Sequence, residues 1–237
     1  MRLLVSVSTA DEARAALEGG AGIIDAKDPH GGALGPVSLD TLAAIRDAVA
    51  GARLLTAALG DAVATDLEPL AHAYAAAGAG LVKVGFAATA GDAGALLAGA
   101  VRGAGRAGAG VVTVAYADAD AGAAVTFDTV IDLAVAAGAR GVLVDTTNKT
   151  GPGLTSLVQP GQLAAWVSRA RHAGLWAAVA GRLSADDLLA VAASGADVAG
   201  VRGAACEEGR LGRVTAQRVA TLAVLIAGTP SVFQGSP

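Results

Sequence analysis

The stretch Gly20-Ala21-Gly22-Ile23-Ile24-Asp25-Ala26-Lys27-Asp28-Pro29 holds the pattern from which the fold is read. A Gly-Ala pair closes a helical segment, and a short apolar, β-branched run follows and ends in charged residues. The same arrangement returns at Gly78-Ala79, Gly138-Ala139 and Gly195-Ala196, with the leading glycines 58, 60 and 57 residues apart. A glycine just past a helix suits the left-handed C-cap that turns the chain toward the next strand. Even recurrence of one supersecondary unit points to a repeat architecture.

Working outward, strands are expected at Leu3–Ser8, Ile23–Lys27, Leu54–Leu59, Leu81–Phe86, Val111–Ala117, Val142–Asp145, Trp176–Ala180 and Val198–Arg202. Helical periodicity lies between them, for example over Asp11–Glu18, Leu39–Val49, Leu67–Ala77, Phe127–Ala137, Gly161–His172, Ala185–Ala193 and Thr215–Ala227. Thr9, Ser38, Thr65 and Ser184 stand where N-caps belong. Uninterrupted apolar strands alternating with helices imply parallel strands buried on both faces. Eight such units predict an α/β fold of the (β/α)8 TIM-barrel type. An open doubly wound sheet is the runner-up, but it does not require so regular a repeat. One domain is expected over residues 1–237, frayed after about 228.

Composition limits the function. Hydrophobic residues are 54% and charged residues 16%, enough for a large core, yet no run suits a membrane span or a signal peptide. Cys206 stands alone, which fits a reducing, cytoplasmic setting without disulfides. A net charge of −4 and few aromatics argue against nucleic acid as a partner. A homo-oligomer is expected.

Lysine is scarce: Lys27, Lys83 and Lys149 against fourteen arginines. All three map to the carboxyl ends of strands, where barrel enzymes build their sites. Lysine, unlike arginine, can lose its proton and attack a carbonyl. Asp25 lies two residues from Lys27 and faces the same side of its strand. Asp145 ends the sixth strand, four residues before Lys149. Asp61 and Asp118 follow strands three and five, where a site role and an ordinary barrel-end role weigh equally.

The loops after strands seven and eight, Gly181-Arg182-Leu183-Ser184 and Arg202-Gly203-Ala204-Ala205-Cys206, read as an anion site in which Gly181, Gly203 and Ala204 offer backbone N–H groups and Arg202 a bidentate contact. Simple turn closure is the competing reading. Gly31–Gly35 suits a lid. His30, His72 and His172 are scattered, so no metal site is expected. No dinucleotide or phosphate-loop fingerprint appears. Cys206 reads as a packed residue.

The chain resembles the (5-formylfuran-3-yl)methyl phosphate synthase family, also called 4-(hydroxymethyl)-2-furancarboxaldehyde-phosphate synthase. The likeness rests on Ile23-Ile24-Asp25-Ala26-Lys27-Asp28-Pro29 with Gly32-Ala33-Leu34-Gly35, Val82-Lys83-Val84-Gly85, Tyr116-Ala117-Asp118, Leu143-Val144-Asp145-Thr146 and Gly200-Val201-Arg202-Gly203-Ala204-Ala205-Cys206. It extends from Leu3 to about Arg218. The resemblance implies a TIM-barrel lyase that joins two glyceraldehyde 3-phosphates into a furan aldehyde phosphate, for a methanofuran-type cofactor. By that resemblance Lys27 forms the Schiff base beside Asp25. Lys83, Asp145 and Lys149 handle protons and phosphate, and no metal or organic cofactor takes part. The segment Thr146–Gly153 departs from the archaeal form, keeping the Asp145–Lys149 spacing but lacking a further loop lysine. Two alternatives stay open: a class I aldolase acting on another small sugar phosphate, and a barrel that binds a phosphorylated metabolite without catalysis.

Overall fold

The computed structural model describes residues 1–62, 66–87, 92–119, 123 and 125–227. Thr65 and the tail after 227 lie outside them. The strands are β1 (Arg2–Val7), β2 (Ile23–Ala26), β3 (Leu54–Asp61), β4 (Leu81–Gly85), β5 (Gly110–Tyr116), β6 (Gly141–Asp145), β7 (Trp176–Val179) and β8 (Val198–Val201). They pair in parallel in chain order, and β8 returns to β1 to close a barrel. The outer helices are α1 (Ala10–Glu18), α2 (Leu39–Val49), α3 (Glu68–Ala76), α4 (Ala93–Arg106), α5 (Val130–Ala137), α6 (Leu154–Leu157), α7 (Pro160–His172), α8 (Ala185–Ala193) and α9 (Ala216–Ala227). Among the described residues, no helix is long and apolar enough to cross a membrane.

Local chemistry sets these boundaries. Thr9, Ser38 and Ser184 accept hydrogen bonds from Glu12, Thr41 and Asp187 N–H, and at Ser184 the Asp187 carboxylate answers to complete a capping box. Each such cap is worth about 1 kcal/mol. The four glycines of the Gly-Ala repeat all take positive φ, and so do Gly51, Gly108 and Gly174 before β3, β5 and β7. The stop signal therefore recurs once per strand–helix unit, twice as often as the pairs at Gly20, Gly78, Gly138 and Gly195 suggest.

Among the described residues, two helices lie beyond those named from periodicity. Helix α4 contains Gly94, Gly99, Gly103 and Gly105, which weaken its helical signal. At Gly103 a Cβ would collide with Glu68 O, so the missing side chain permits the close approach of α4 to the start of α3. Helix α6 is a single turn inside the β6–α7 connection.

Strand alternation sorts the core into two layers. Ile24, Ala26, Val82, Val84, Val142 and Val144 face the helices in one large cluster. Leu81, Val112, Val114, Tyr116 and Leu143 pack inside the barrel. On β7 and β8 the inward residues Ala178, Ala180 and Gly200 are small and leave space that larger side chains would fill. Trp176 also lines this space, with the Arg2 guanidinium 4.3 Å from its ring centroid. The result is a cavity of about 690 Å³ in the barrel.

Candidate active site

Lys27, Lys83, Asp145 and Lys149 all line this cavity, and so do Ser6 and Thr56. Asp25 lies directly beneath, fully buried, and accepts hydrogen bonds from Ser6 Oγ (2.8 Å) and Thr56 Oγ1 (2.6 Å). The registers explain this grouping: Ser6 opposes Asp25, and Asp25 opposes Thr56, so three neighbouring strands turn these residues to one face.

The third contact to Asp25 decides its role. Lys83 Nζ stands 2.6 Å from Asp25 Oδ1, with both side chains buried. Asp25 is thus the partner of Lys83, not of Lys27, its neighbour in sequence. A second pair mirrors it across the barrel: Lys149 Nζ lies 2.7 Å from Asp145 Oδ1. Burial alone would raise the Asp145 carboxyl. The charges of Lys149 and Lys27 and hydrogen bonds from Lys149 and Thr146 outweigh it and hold the group below its usual range.

Lys27 stands between the two pairs; its backbone N–H donates to Val7 O (2.9 Å), but its side chain makes no hydrogen bond or ion pair among the described residues. Its side chain is 8% exposed, toward the cavity. Burial pushes the ammonium down; Lys83 and Lys149 push the same way, against the pull of Asp145 and Asp25, and the group falls to about 8. A lysine in that range carries a sizeable neutral fraction near physiological pH, whereas an ordinary one near 10.5 carries almost none. Three lysines thus divide into two committed cations and one amine able to act as a nucleophile.

The two flanking aspartates shape the rim. Asp118 accepts from Thr147 N (2.7 Å) and Asn148 N (2.8 Å), and so fixes the loop that carries Lys149. Asp61 accepts from Tyr116 Oη (2.8 Å) and Ala87 N (3.2 Å), spanning β4 at Gly85, where a Cβ would strike both bonded oxygens. Burial, then Asp61, keeps the Tyr116 phenol protonated far above its ordinary value.

At the anion loops, Gly181, Arg202, Gly203 and Ala204 all line the cavity. Gly181 takes φ +110, and Gly203 opens a short 3-10 helix, where the first N–H groups lack intrahelical acceptors. The Arg202 side chain, in contrast, is fully committed. Nε donates to Arg210 O (2.9 Å), Nη1 to Ser6 O (3.0 Å) and Glu12 Oε2 (2.9 Å), and Nη2 to Glu12 Oε1 (3.2 Å) and Gly212 O (3.2 Å). Those five bonds use all five guanidinium protons, so an anion could bind it only by displacing one of these acceptors. The expected bidentate contact from Arg202 is therefore not available in this arrangement.

The Gly31–Gly35 segment is not an open flap. Leu34 is buried in the inner cluster, and Asp28 N donates to Gly35 O at 2.8 Å. Arg210 holds the same segment by donating to Pro29 O and Gly32 O. Sequence reasoning passed over Arg210, Glu12, Ser6 and Thr56. Ser6 and Thr56 carried one available signal: polar residues within otherwise apolar strands. Cys206 is buried, as a packed residue should be. His30, His72 and His172 do not line the cavity, and the described residues contain no cluster of metal-ligating type.

A closed eight-stranded barrel with an uncompensated amine among carboxylate-paired lysines defines a TIM-barrel enzyme. The chain belongs to the 4-HFC-P synthase family, whose model matches residues 3–223. It is 36% identical to the (5-formylfuran-3-yl)methyl phosphate synthase of Methanopyrus kandleri, over 88% of this chain and 90% of that protein. A Methylorubrum extorquens protein provisionally given the same activity is 39% identical, over 86% of this chain and 82% of its own. Among solved structures, a 3-hexulose-6-phosphate synthase is similar with a TM-score of 0.64 and 25% identity, over 95% of this chain and 100% of that one.

Proposed function

We propose that this enzyme condenses two molecules of glyceraldehyde 3-phosphate into 4-(hydroxymethyl)-2-furancarboxaldehyde phosphate, with loss of phosphate and water, through a Schiff base on Lys27. The product would enter biosynthesis of a methanofuran-type cofactor. The observation that carries the reading is the unpaired Lys27 amine, lowered to about 8 and facing the cavity between two lysine–carboxylate pairs.

Attack of the neutral amine on the substrate aldehyde gives a carbinolamine, and loss of water gives an iminium. The iminium draws electrons from the adjacent carbon and acidifies its proton. Removing that proton makes an enamine, which can expel the phosphate one carbon further on. The Lys149–Asp145 and Lys83–Asp25 pairs offer a proton donor and acceptor on opposite sides of the nitrogen. Gly181, Gly203 and Ala204 supply backbone N–H groups for a phosphate, as barrels do in these two loops.

A class I aldolase acting on another sugar phosphate would use the same lysine, and the likeness to a hexulose-phosphate synthase favours keeping it as the second reading. Purified protein incubated with glyceraldehyde 3-phosphate, then reduced with borohydride and weighed intact, separates the readings. We expect an adduct on wild type, none on Lys27→Ala, and a furan chromophore in the unreduced sample. An adduct without a furan selects the aldolase, and no adduct sinks the Schiff-base reading.

A further inference from the structure

Three observations single out Arg210. Its backbone is anchored beside the anion loops: Arg202 Nε donates to its carbonyl at 2.9 Å, and a Cβ built on Gly203 would lie 3.6–3.7 Å from Arg210 N, Cα and Cβ. Its guanidinium reaches into the segment after β2, donating to Pro29 O and to Gly32 O (2.6 Å), two and five residues beyond Lys27. Although it lines the cavity, it has no carboxylate partner among the described residues, and Nε and one N–H on each terminal nitrogen have no acceptor there.

The contrast with Arg202 is chemical. Arg202 is neutralised by Glu12 and has no donor left. Arg210 is a half-buried cation with no carboxylate in hydrogen-bonding reach, Asp145 and Asp28 acting on it only from farther off, and of its remaining donors Nε and one terminal N–H can form one edge of a planar fork. A phosphoryl group fits such an edge, because two of its oxygens match two parallel N–H groups.

We propose that Arg210 grips the phosphoryl group of the substrate, with the Gly203–Ala204 backbone beside it, and at the same time clamps the Lys27 loop against the bound molecule. Phosphate binding energy would then be used to hold the nucleophile's loop in place, rather than for affinity alone. The inference takes its ligand class from the proposed reaction, but binding can be tested without any carbonyl chemistry.

The test is binding of inorganic phosphate, by calorimetry, to wild type and Arg210→Gln. We expect the dissociation constant to rise at least about tenfold, the loss typical of a charge-assisted bidentate contact. An unchanged constant overturns the proposal. A second readout is the ratio of borohydride-trapped adduct from glyceraldehyde 3-phosphate to that from glyceraldehyde. A phosphate grip lowers this ratio about tenfold in the variant, whereas a merely structural loop staple lowers both rates and leaves it unchanged. If Arg210→Gln does not fold, phenylglyoxal modification of wild type, mapped by peptide mass, replaces it. Protection of Arg210 by inorganic phosphate supports the grip, and modification indifferent to phosphate overturns it. Failure of the reaction reading would instead appear as wild type that binds phosphate but traps no adduct.

Discussion

Lys83 Nζ lies 2.6 Å from Asp25 Oδ1 in the floor of the barrel mouth, and this contact leaves Lys27 as the one lysine of the three without a carboxylate. Removing one member of a buried pair leaves a charge without compensation, at a cost of about 3–5 kcal/mol. Asp25→Asn should therefore lower the stability measured by urea unfolding by that order. Asp25→Leu combined with Lys83→Met should recover most of it, because two apolar groups bury at little cost.

Lys27 is lowered by burial to about 8. A lysine so lowered binds fewer protons in the folded chain than in the unfolded one between about pH 8 and 10.5, so stability should rise with pH across that window. Below it the buried ammonium is a penalty of roughly 3 kcal/mol. Lys27→Met should abolish adduct formation while raising the pH 7 unfolding midpoint and flattening the alkaline rise. In wild type, the rate of adduct trapping should climb with an apparent pKa near 8.

Asp118 fixes the Lys149 loop through Thr147 and Asn148 N–H. Asp118→Ala frees both donors and lets Lys149 drift from Asp145. Steady-state kinetics should show kcat lowered about tenfold or more, in keeping with the sensitivity of catalysis to small misplacements. Asp118→Asn keeps one acceptor oxygen and should recover part of the loss.

Glu12 is buried, and there burial alone would raise its carboxyl, but the hydrogen bonds and charge of Arg202 and the N–H groups of Ser8 and Val214 hold it below its usual 4.5. A carboxyl lowered in the folded state stabilises above its unfolded value, and that contribution disappears as the pH falls through the folded value. Glu12→Gln should lose about 3–5 kcal/mol at pH 7 and show a flatter acid limb in a stability–pH curve than wild type.

At Gly85 no side chain fits, because Asp61 and Tyr116 join their hydrogen bond across it. Tyr116→Phe should cost about 1 kcal/mol, the net worth of one such bond. Gly85→Ala must displace both partners and should cost more than 2 kcal/mol by thermal unfolding.

The strands were legible from sequence because burial on both faces writes them as short apolar runs, and Leu39–Val49 and Ala185–Ala193 because caps mark their starts. Helix α4 was obscured by glycines whose reason is its contact with Glu68, a partner that no local window contains. The lysines were legible from their scarcity and position. Their pairings were not: Asp25 is beside Lys27 in sequence, yet closure of the barrel brings Lys83 to it. Arg202 misled for the same reason, since its carboxylate partner Glu12 is 190 residues away. Arg210 sits in a loop after β8, and its reach to Pro29 and Gly32 joins positions that no local window contains.

The Glu12–Arg202 bridge has a bearing on how the chain matures. Synthesis runs from the N-terminus, so Lys27, Lys83 and Lys149 are all in place before Arg202 and Arg210 are made. Until the last fifth of the chain arrives, Glu12 lacks the cation it pairs with in the folded barrel, and β1 lacks its β8 partner. A contact joining residues this distant in sequence closes slowly, because its loop entropy must be met before the bond forms. The growing chain therefore carries all three amines unshielded by a finished wall, and the cavity that lowers Lys27 comes into being only when its final strand locks home.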